Sequence, residues 1–260
     1  MSTPDLPPVP GAPIWVELYT SDPDGAQAFY EKLFGWTAED SGPEYGGYVT
    51  FQLDGKPVAG CMRNDGTTGA INSWSVYLES RDAEDTMSMA EANGGHVEIE
   101  PMQVGDLGQM AFVTDPGGAL IGIWQPGTHH GIAVRGETGA PVWFELLTKH
   151  YEASIRFYQA VFGWATETMS DTDEFRYTTL GKGEDALAGI MDASGFLGDA
   201  PSAWSVYIDV EDTDATVRRA EEAGGAILIA PEDSPYGRIA ELQDPSGARF
   251  KVMGPNLESA

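Results

Sequence analysis

Two glutamates lie among aromatic residues and are the first candidates for chemistry. Glu17 follows Trp15 by two residues and precedes Tyr19 by two, and Glu145 follows Trp143 by two. On a β-strand, alternate residues share one face, so each glutamate is expected beside an indole ring. Desolvation favours the protonated form of a carboxyl, which makes Glu17 a candidate general base and Tyr19 a candidate to polarise a substrate oxygen.

The histidines and the single cysteine lack the spacing of a metal site. His129 and His130 are adjacent, so their side chains point apart on an extended segment, and we interpret that segment as solvated linker. His150 is predicted at a helix entrance and His96 at an exposed strand start. Cys61 is predicted to be a small buried apolar side chain. We therefore predict no cofactor, and a divalent metal only through unusual ligands.

The elements that position these residues occur twice. The segment WVELYTSDPDGAQAFYEKLFGW begins at Trp15, and WFELLTKHYEASIRFYQAVFGW begins at Trp143. The segment that begins at Ser73 returns at Ala203, and DPGGALIGIW from Asp115 returns as DPSGARFKVM from Asp244. Matches in one order along the chain indicate a duplicated domain.

The repeat predicts five parts of the chain: an N-terminal arm, two domains, a linker between them and a C-terminal tail. Their expected bounds are 1–11, 12–127, 128–138, 139–255 and 256–260.

Each domain divides again into two βαβββ modules. In the first module a strand from Ile14 is followed by Asp22-Pro23, a helix cap and a first-turn proline. Apolar residues then follow the helical period up to Gly35, which is predicted to end the helix, and three short strands follow. The second module repeats this order. We therefore predict an α+β fold of four modules.

This plan resembles the vicinal oxygen chelate superfamily, which includes glyoxalase I, bleomycin resistance proteins and extradiol dioxygenases. The FYxxxFGW helix end, the paired glycines after the second helix and the DPxG motif before the last strand carry the resemblance. It covers nearly the whole chain and is most similar to two-domain bacterial proteins of the glyoxalase-like or hydroxylase-like type.

The resemblance implies a metal site that this sequence lacks. Related proteins present His from module-opening strands and Glu from module-closing strands inside a concave sheet, here called a cup. Trp15 and Trp74 map to the histidine positions of the first half, and Gly122 maps to a glutamate position. The equivalent positions of the second half are Trp143, Trp204 and Lys251. None of these is a usual ligand, so we predict no metal site.

By the same mapping, the first cup is the preferred ligand site. The residues expected to line it are Trp15, Glu17, Tyr48, Trp74, Gly122 and Trp124. Gly122 lacks a side chain opposite Glu17, which is expected to leave room for a ligand. The second cup would hold Trp143, Glu145, Trp204 and Lys251. There Lys251 is expected to neutralise Glu145 in a closed ion pair.

Composition limits the classes of partner that the protein can bind. Acidic residues number 41 and basic residues 14, a formal charge of −27 that repels nucleic acid and anionic membranes. No phosphate loop, dinucleotide fingerprint or nucleophile elbow occurs. The sequence shows no membrane span or signal peptide, so we expect a cytoplasmic location. The expected partner is a small molecule, and members of this fold often form homodimers.

Two functions remain open at this point. One is a protein that binds a planar or aromatic molecule in a Trp-lined cup without a metal. The other is a glyoxalase-like lyase, an isomerase or a hydroxylase-like enzyme that uses Glu17 or an unusual metal site. In a third, structural alternative, both cups are filled and the protein acts through its acidic surface.

Overall fold

The computed structural model describes residues 9–42 and 45–257. Most of the expected N-terminal arm and residues 258–260 of the expected tail lie outside these ranges. The fold is α+β, as predicted, and follows the βαβββ order four times.

The first half contains modules one and two. Its strands are β1 (Pro13–Thr20), β2 (Thr37–Asp40), β3 (Val49–Leu53), β4 (Lys56–Arg63), β5 (Ser73–Glu79), β6 (His96–Val104), β7 (Gly108–Thr114) and β8 (Leu120–Pro126). Its helices are α1 (Pro23–Phe34) and α2 (Ala83–Ala92).

The second half contains modules three and four. Its strands are β9 (Pro141–Thr148), β10 (Thr166–Asp171), β11 (Arg176–Leu180), β12 (Ala188–Asp192), β13 (Ala203–Asp209), β14 (Ala226–Ser234), β15 (Gly237–Gln243) and β16 (Arg249–Gly254). Its helices are α3 (Tyr151–Phe162) and α4 (Thr213–Glu222), and a short 3-10 helix spans Gly183–Asp185.

The strands form two sheets of eight. The order is β2-β3-β4-β1-β5-β8-β7-β6 in the first and β10-β11-β12-β9-β13-β16-β15-β14 in the second. Within each module the opening and closing strands run parallel, as in β1 with β4 and β5 with β8. The parallel pairs follow from the helix that crosses between opening and later strands.

The helix ends match the sequence signals. The Asp22 side chain accepts a hydrogen bond from the Gly25 N–H, and Pro23 occupies the first turn of α1. Gly35 and Gly163 end α1 and α3 with positive φ angles of 72° and 68°, a conformation that glycine adopts without steric cost. His150 precedes α3 as predicted, but its side chain makes no capping hydrogen bond.

Two compact units combine modules from different halves of the sequence. Unit 1 contains the described residues through Trp15, with Ser75–Gly131 and Trp143–Ser205. Unit 2 contains Val16–Trp74, Ile132–Val142 and the described residues from Val206 onward. The domain boundaries expected from the sequence stay a proposal.

A buried polar chain links the two halves of the sequence within unit 1. The Asp115 carboxylate of the first DPxG motif accepts hydrogen bonds from Ser154 Oγ at 3.2 Å and Tyr158 Oη at 3.4 Å. Tyr158 Oη in turn accepts from Trp204 Nε1 at 3.0 Å. Burial raises the pKa of the Asp115 carboxyl, and its hydrogen bonds partly oppose that rise.

Unit 2 repeats the arrangement. Trp74 Nε1 donates to Tyr30 Oη at 3.0 Å, and Tyr30 Oη donates to the Asp244 carboxylate at 3.1 Å. Tyr30 also packs against Trp36, with ring centroids 5.6 Å apart. Each unit is therefore held by an aspartate of one half and a helix tyrosine of the other.

No helix in the described part of the chain is long and apolar enough to cross a membrane.

Candidate functional site

The helix caps show which residues of the two opening strands of the first half are equivalent. The Asp22 N–H is bonded to Thr20 Oγ1 and the Asp82 N–H to Ser80 Oγ, so these two cap segments correspond. Counting back from them along each strand pairs Glu17 with Tyr77. The same count gives Ser75, not Trp74, the position of Trp15.

The placement expected for Trp74 and Trp204 therefore needs correction. Both indoles are buried and donate to the tyrosine hydroxyl groups of α1 and α3. Because side chains alternate along a strand, Trp74 lies on the opposite face of β5 from Ser75 and Tyr77. The mapping that used Trp74 was one residue out of register, and a one-residue slip moves every side chain to the other face.

Gly122 does not leave the open space that was expected. A Cβ atom at Gly122 would lie 2.3 Å from Cδ1 of Tyr77, so the Tyr77 ring already covers this glycine. The two residues are directly opposite in the β5–β8 pair. The glycine accommodates Tyr77, whose ring centroid lies 5.0 Å from that of Phe112.

Glu17 lies on β1 directly opposite Gly60 of β4, in a parallel pair. Glu17, Tyr19 and Tyr48 are all half-buried. These three side chains thus retain some solvent contact, and their roles in catalysis or binding stay predictions.

An aromatic wall in unit 1 consists of Trp15, Trp124 and His129. The His129 ring lies edge-on to Trp15, with centroids 4.4 Å apart, and 5.5 Å from the Trp124 ring. Trp124 Nε1 donates to the His129 carbonyl at 3.0 Å, and the His129 N–H donates to the Leu107 carbonyl at 3.1 Å. The linker is thereby fixed to strand β8.

His129 is therefore not the solvated linker residue that the sequence suggested. It is half-buried, and burial, with a smaller effect of His130, lowers the pKa of its imidazole to about 4. At neutral pH the aromatic wall accordingly contains an uncharged imidazole.

The corresponding residues of the second half form a closed cluster in unit 1. Tyr177 Oη donates to Glu145 Oε1 at 2.9 Å and accepts from Trp143 Nε1 at 2.9 Å. Glu145 lies opposite Gly189 in the β9–β12 pair, and a Cβ at Gly189 would lie 2.0 Å from Tyr177 Oη. Glu145 is only 4% exposed.

Lys251 lies opposite Tyr207 in module four, where module two has Gly122 opposite Tyr77. Its Nζ donates to Tyr207 Oη at 2.8 Å and lies 4.7 Å from the centroid of that ring. The Glu145–Lys251 ion pair expected from the sequence stays a prediction.

The side chains present do not fit a divalent metal. Across residues 9–42 and 45–257, no three His, Cys, Asp or Glu side chains group so as to hold a metal ion. With the corrected register, the four ligand positions of the first half are Trp15, Gly60, Ser75 and Gly122. Indoles and glycines offer no side-chain lone pair to a metal, and a lone serine hydroxyl does not make a site.

Sequence reasoning missed Tyr77, Tyr177 and His129. Tyr48 and Tyr177 are 129 residues apart, the spacing that relates Asp115 to Asp244, so the repeat could have identified Tyr177. Tyr77 could have been found by counting back from the Asp82 cap. No sequence signal places His129 beside the two tryptophans.

Comparison with known families agrees with the fold. The model of the Glyoxalase/Bleomycin resistance protein/Dioxygenase superfamily matches residues 13–123 and 140–252.

Two proteins illustrate the similarity in sequence. "Putative glyoxylase CFP32" of Mycobacterium tuberculosis (strain CDC 1551 / Oshkosh) is 36% identical over 250 residues, covering 94% of this chain and 95% of that protein. "Anthracycline biosynthesis protein DnrV" of Streptomyces peucetius is 39% identical over 261 residues, covering 94% of this chain and 93% of that protein.

Solved structures share the fold at low identity. The Mn(II)-bound glyoxalase of Novosphingobium aromaticivorans has a TM-score of 0.64 at 18% identity, covering 96% of this chain and 85% of that chain. The 2,3-dioxygenase LapB of Pseudomonas sp. KL28 has a TM-score of 0.65 at 13% identity, covering 96% of this chain and 95% of that chain.

Proposed function

Because the chain belongs to the glyoxalase/bleomycin resistance protein/dioxygenase superfamily, we propose that it binds a small, planar or aromatic organic molecule without the divalent metal of its metal-dependent relatives. The aromatic wall of Trp15, Trp124 and His129, whose two indoles are 3% and 6% exposed, carries this proposal. Rings of this kind hold planar ligands by stacking and edge-to-face contact.

The chemistry of the wall supports an uncharged or cationic ligand. With its low pKa, the imidazole of His129 is uncharged at neutral pH and offers one hydrogen-bond donor and one acceptor, but no positive charge for an anion. The chain's formal charge of −27 also disfavours the approach of anions. The names of the relatives, which refer to a glyoxylase and to anthracycline biosynthesis, agree with small-molecule chemistry.

The test replaces Trp124 with the residue that the second half has at the equivalent position, Met253. Isothermal titration measures binding of 2-methoxynaphthalene to the wild type, W124M and the control M253L. We expect W124M to weaken binding about five- to tenfold, because one aromatic contact contributes roughly 1 kcal/mol, and M253L to leave it unchanged. Equal affinities for all three proteins would place the ligand elsewhere, and no binding to the wild type would favour the structural alternative.

A second candidate is an enzyme in which Glu17 acts as general base. The observation in its favour is that Glu17 is half-buried whereas Glu145 is 4% exposed, so Glu17 is the more accessible of the two equivalent acids. Turnover of methylglyoxal hemithioacetals and of catechols is measured for the wild type, E17Q and E145Q. An activity that E17Q abolishes and E145Q retains supports this candidate. An activity that survives in E17Q removes Glu17 as the base.

A further inference from the structure

Glu79 lies beside the aromatic wall. It ends strand β5 and is directly opposite Trp124 in the parallel β5–β8 pair, so the two side chains share one face of the sheet. Its backbone carbonyl accepts a hydrogen bond from the Gly11 N–H, and its backbone N–H donates to the Ala12 carbonyl. The side chain is 7% exposed.

One oxygen of this carboxyl is unsatisfied. Oε2 of Glu79 is buried and accepts no hydrogen bond from any described residue. Burial raises the pKa of the Glu79 carboxyl, and the Gly11 N–H and the Arg81 cation partly oppose that rise. Buried polar atoms in folded proteins almost always have a partner, so this oxygen requires an explanation.

In the second half, the acid at the equivalent position has a hydrogen-bond donor for its side chain. Asp209 ends β13 with the equivalent backbone bonds, since the Gly139 N–H donates to its carbonyl and its own N–H donates to the Ala140 carbonyl. Thr138 Oγ1 donates to Asp209 Oδ2 at 3.0 Å. Thr138 precedes Gly139 as Pro10 precedes Gly11.

The first half therefore keeps the acid and lacks the donor. Proline has neither a hydroxyl nor an N–H, so Pro10 cannot replace Thr138. Glu79 lies on the face of the sheet that carries Trp124, and Trp124 Nε1 donates to the His129 carbonyl. Glu79 Oε2 could accept a hydrogen bond from a ligand, and Trp124 on the same face could contact an aromatic ring of that ligand.

We propose that Glu79 accepts a hydrogen bond from a hydroxyl or ammonium group of an aromatic ligand whose ring lies against Trp124. This inference rests on the proposed binding function and adds the class of ligand, an aromatic hydrogen-bond donor. Carboxylate and phosphate ligands are disfavoured, because they would place a second negative charge beside Glu79. A charge-assisted bond of this kind corresponds to about a tenfold gain in affinity or more.

Isothermal titration compares four naphthalene probes that differ at one substituent. These are 2-naphthol, 2-(aminomethyl)naphthalene, 2-methoxynaphthalene and 2-naphthoate. We expect the wild type to bind 2-naphthol or the amine at least tenfold more tightly than the methoxy probe, which has no donor, and to bind 2-naphthoate weakest. The better of the two donor probes identifies the donor as a hydroxyl or an ammonium.

Two variants assign this preference to Glu79, and a third is the control. E79Q removes the charge, and P10T supplies the hydroxyl that the second half has, so each is expected to reduce the preference for the donor probe to about threefold or less. D209N is expected to leave it unchanged. If all probes bind with equal affinity, or if E79Q and P10T keep the wild-type preference, the inference is overturned while the binding function stands. If no probe binds, the binding function itself fails.

Discussion

The two halves differ most at the acids that they share. In the second half, Glu145 is buried and bonded to Tyr177, which also holds Trp143. In the first half, the equivalent Glu17 and the equivalent Tyr48 are both half-buried. Structurally equivalent residues of the two halves thus differ in their exposure to solvent.

The bonding of polar groups also differs at two further positions. Lys251 occupies the place of Gly122 and is bonded to Tyr207, and Thr138 satisfies Asp209 where Glu79 keeps an unsatisfied oxygen. The unsatisfied Glu79 oxygen and the greater exposure of Glu17 are our reasons for proposing the first half as the functional one.

The aspartates of the DPxG motifs are where the halves should behave alike, and they give the largest expected effect. Besides its bonds to Ser154 and Tyr158, Asp115 accepts from the Gly117 and Ala119 N–H groups at 2.8 and 3.0 Å. We expect D115A to lower the free energy of unfolding by about 3 to 5 kcal/mol, because several buried donors lose their acceptor. Urea unfolding followed by tryptophan emission measures it.

The control is D244A in unit 2. Asp244 accepts from Tyr30 and from the Ser246 and Ala248 N–H groups. We expect D244A to lower the free energy of unfolding by an amount within about 1 kcal/mol of the loss in D115A. The two aspartates have similar sets of buried hydrogen bonds, and each bond contributes about 1 kcal/mol. A loss confined to one variant would show that the two units are not stabilised in the same way.

The equivalent tyrosines Tyr177 and Tyr48 should behave differently in the two halves. Y177F removes the hydroxyl that contacts Glu145 and Trp143, and is expected to cost about 1 to 3 kcal/mol of unfolding free energy. Y48F, at the half-buried equivalent, should cost less than about 1 kcal/mol, because water can replace the lost bond. Equal losses in urea unfolding would contradict the idea that only the second half is closed.

His129 gives the smallest expected effect, and it appears only at acid pH. The pKa of its imidazole, about 4, lies below the usual 6.5, so the unfolded state binds its proton first. Its contribution to stability is complete above about pH 6.5 and is lost progressively as the pH falls towards 4. Between pH 7 and 5.5 the loss is about 1 to 2 kcal/mol.

The matched pair is H129Q and H130Q, since His130 is the exposed neighbour. Unfolding free energies measured at pH 7 and 5.5 should differ less in H129Q than in the wild type, whereas H130Q should keep the wild-type difference. If H130Q, and not H129Q, removes the pH dependence, the group that titrates in this range is not the His129 imidazole.

Much of the fold could be predicted because its signals are local and occur twice. Asp22-Pro23, Gly35 and the DPxG motifs each indicate a helix end or a turn. Because similar signals occur in both halves, each prediction is supported twice. Glu145 was singled out for the same reason, since strand alternation alone places it beside Trp143.

Other parts of the site could not be predicted because they depend on register and on distant contacts. A single residue separates Trp74 from Ser75, and the cap hydrogen bonds show that Ser75, not Trp74, is equivalent to Trp15. The sequence alone does not show whether the space beside a glycine such as Gly122 is open, because a side chain on the neighbouring strand can fill it. The position of His129 depends on the path of a linker, which no periodic pattern specifies.

Titration of 2-naphthol into protein dialysed against a chelator shows whether the first half binds an aromatic ligand without a metal. We expect a dissociation constant that is unchanged by the chelator and by later addition of Mn²⁺ or Zn²⁺, and that is larger in W124M. Binding that appears only after a metal is restored would contradict it, because the residues at the ligand positions would then hold a metal after all.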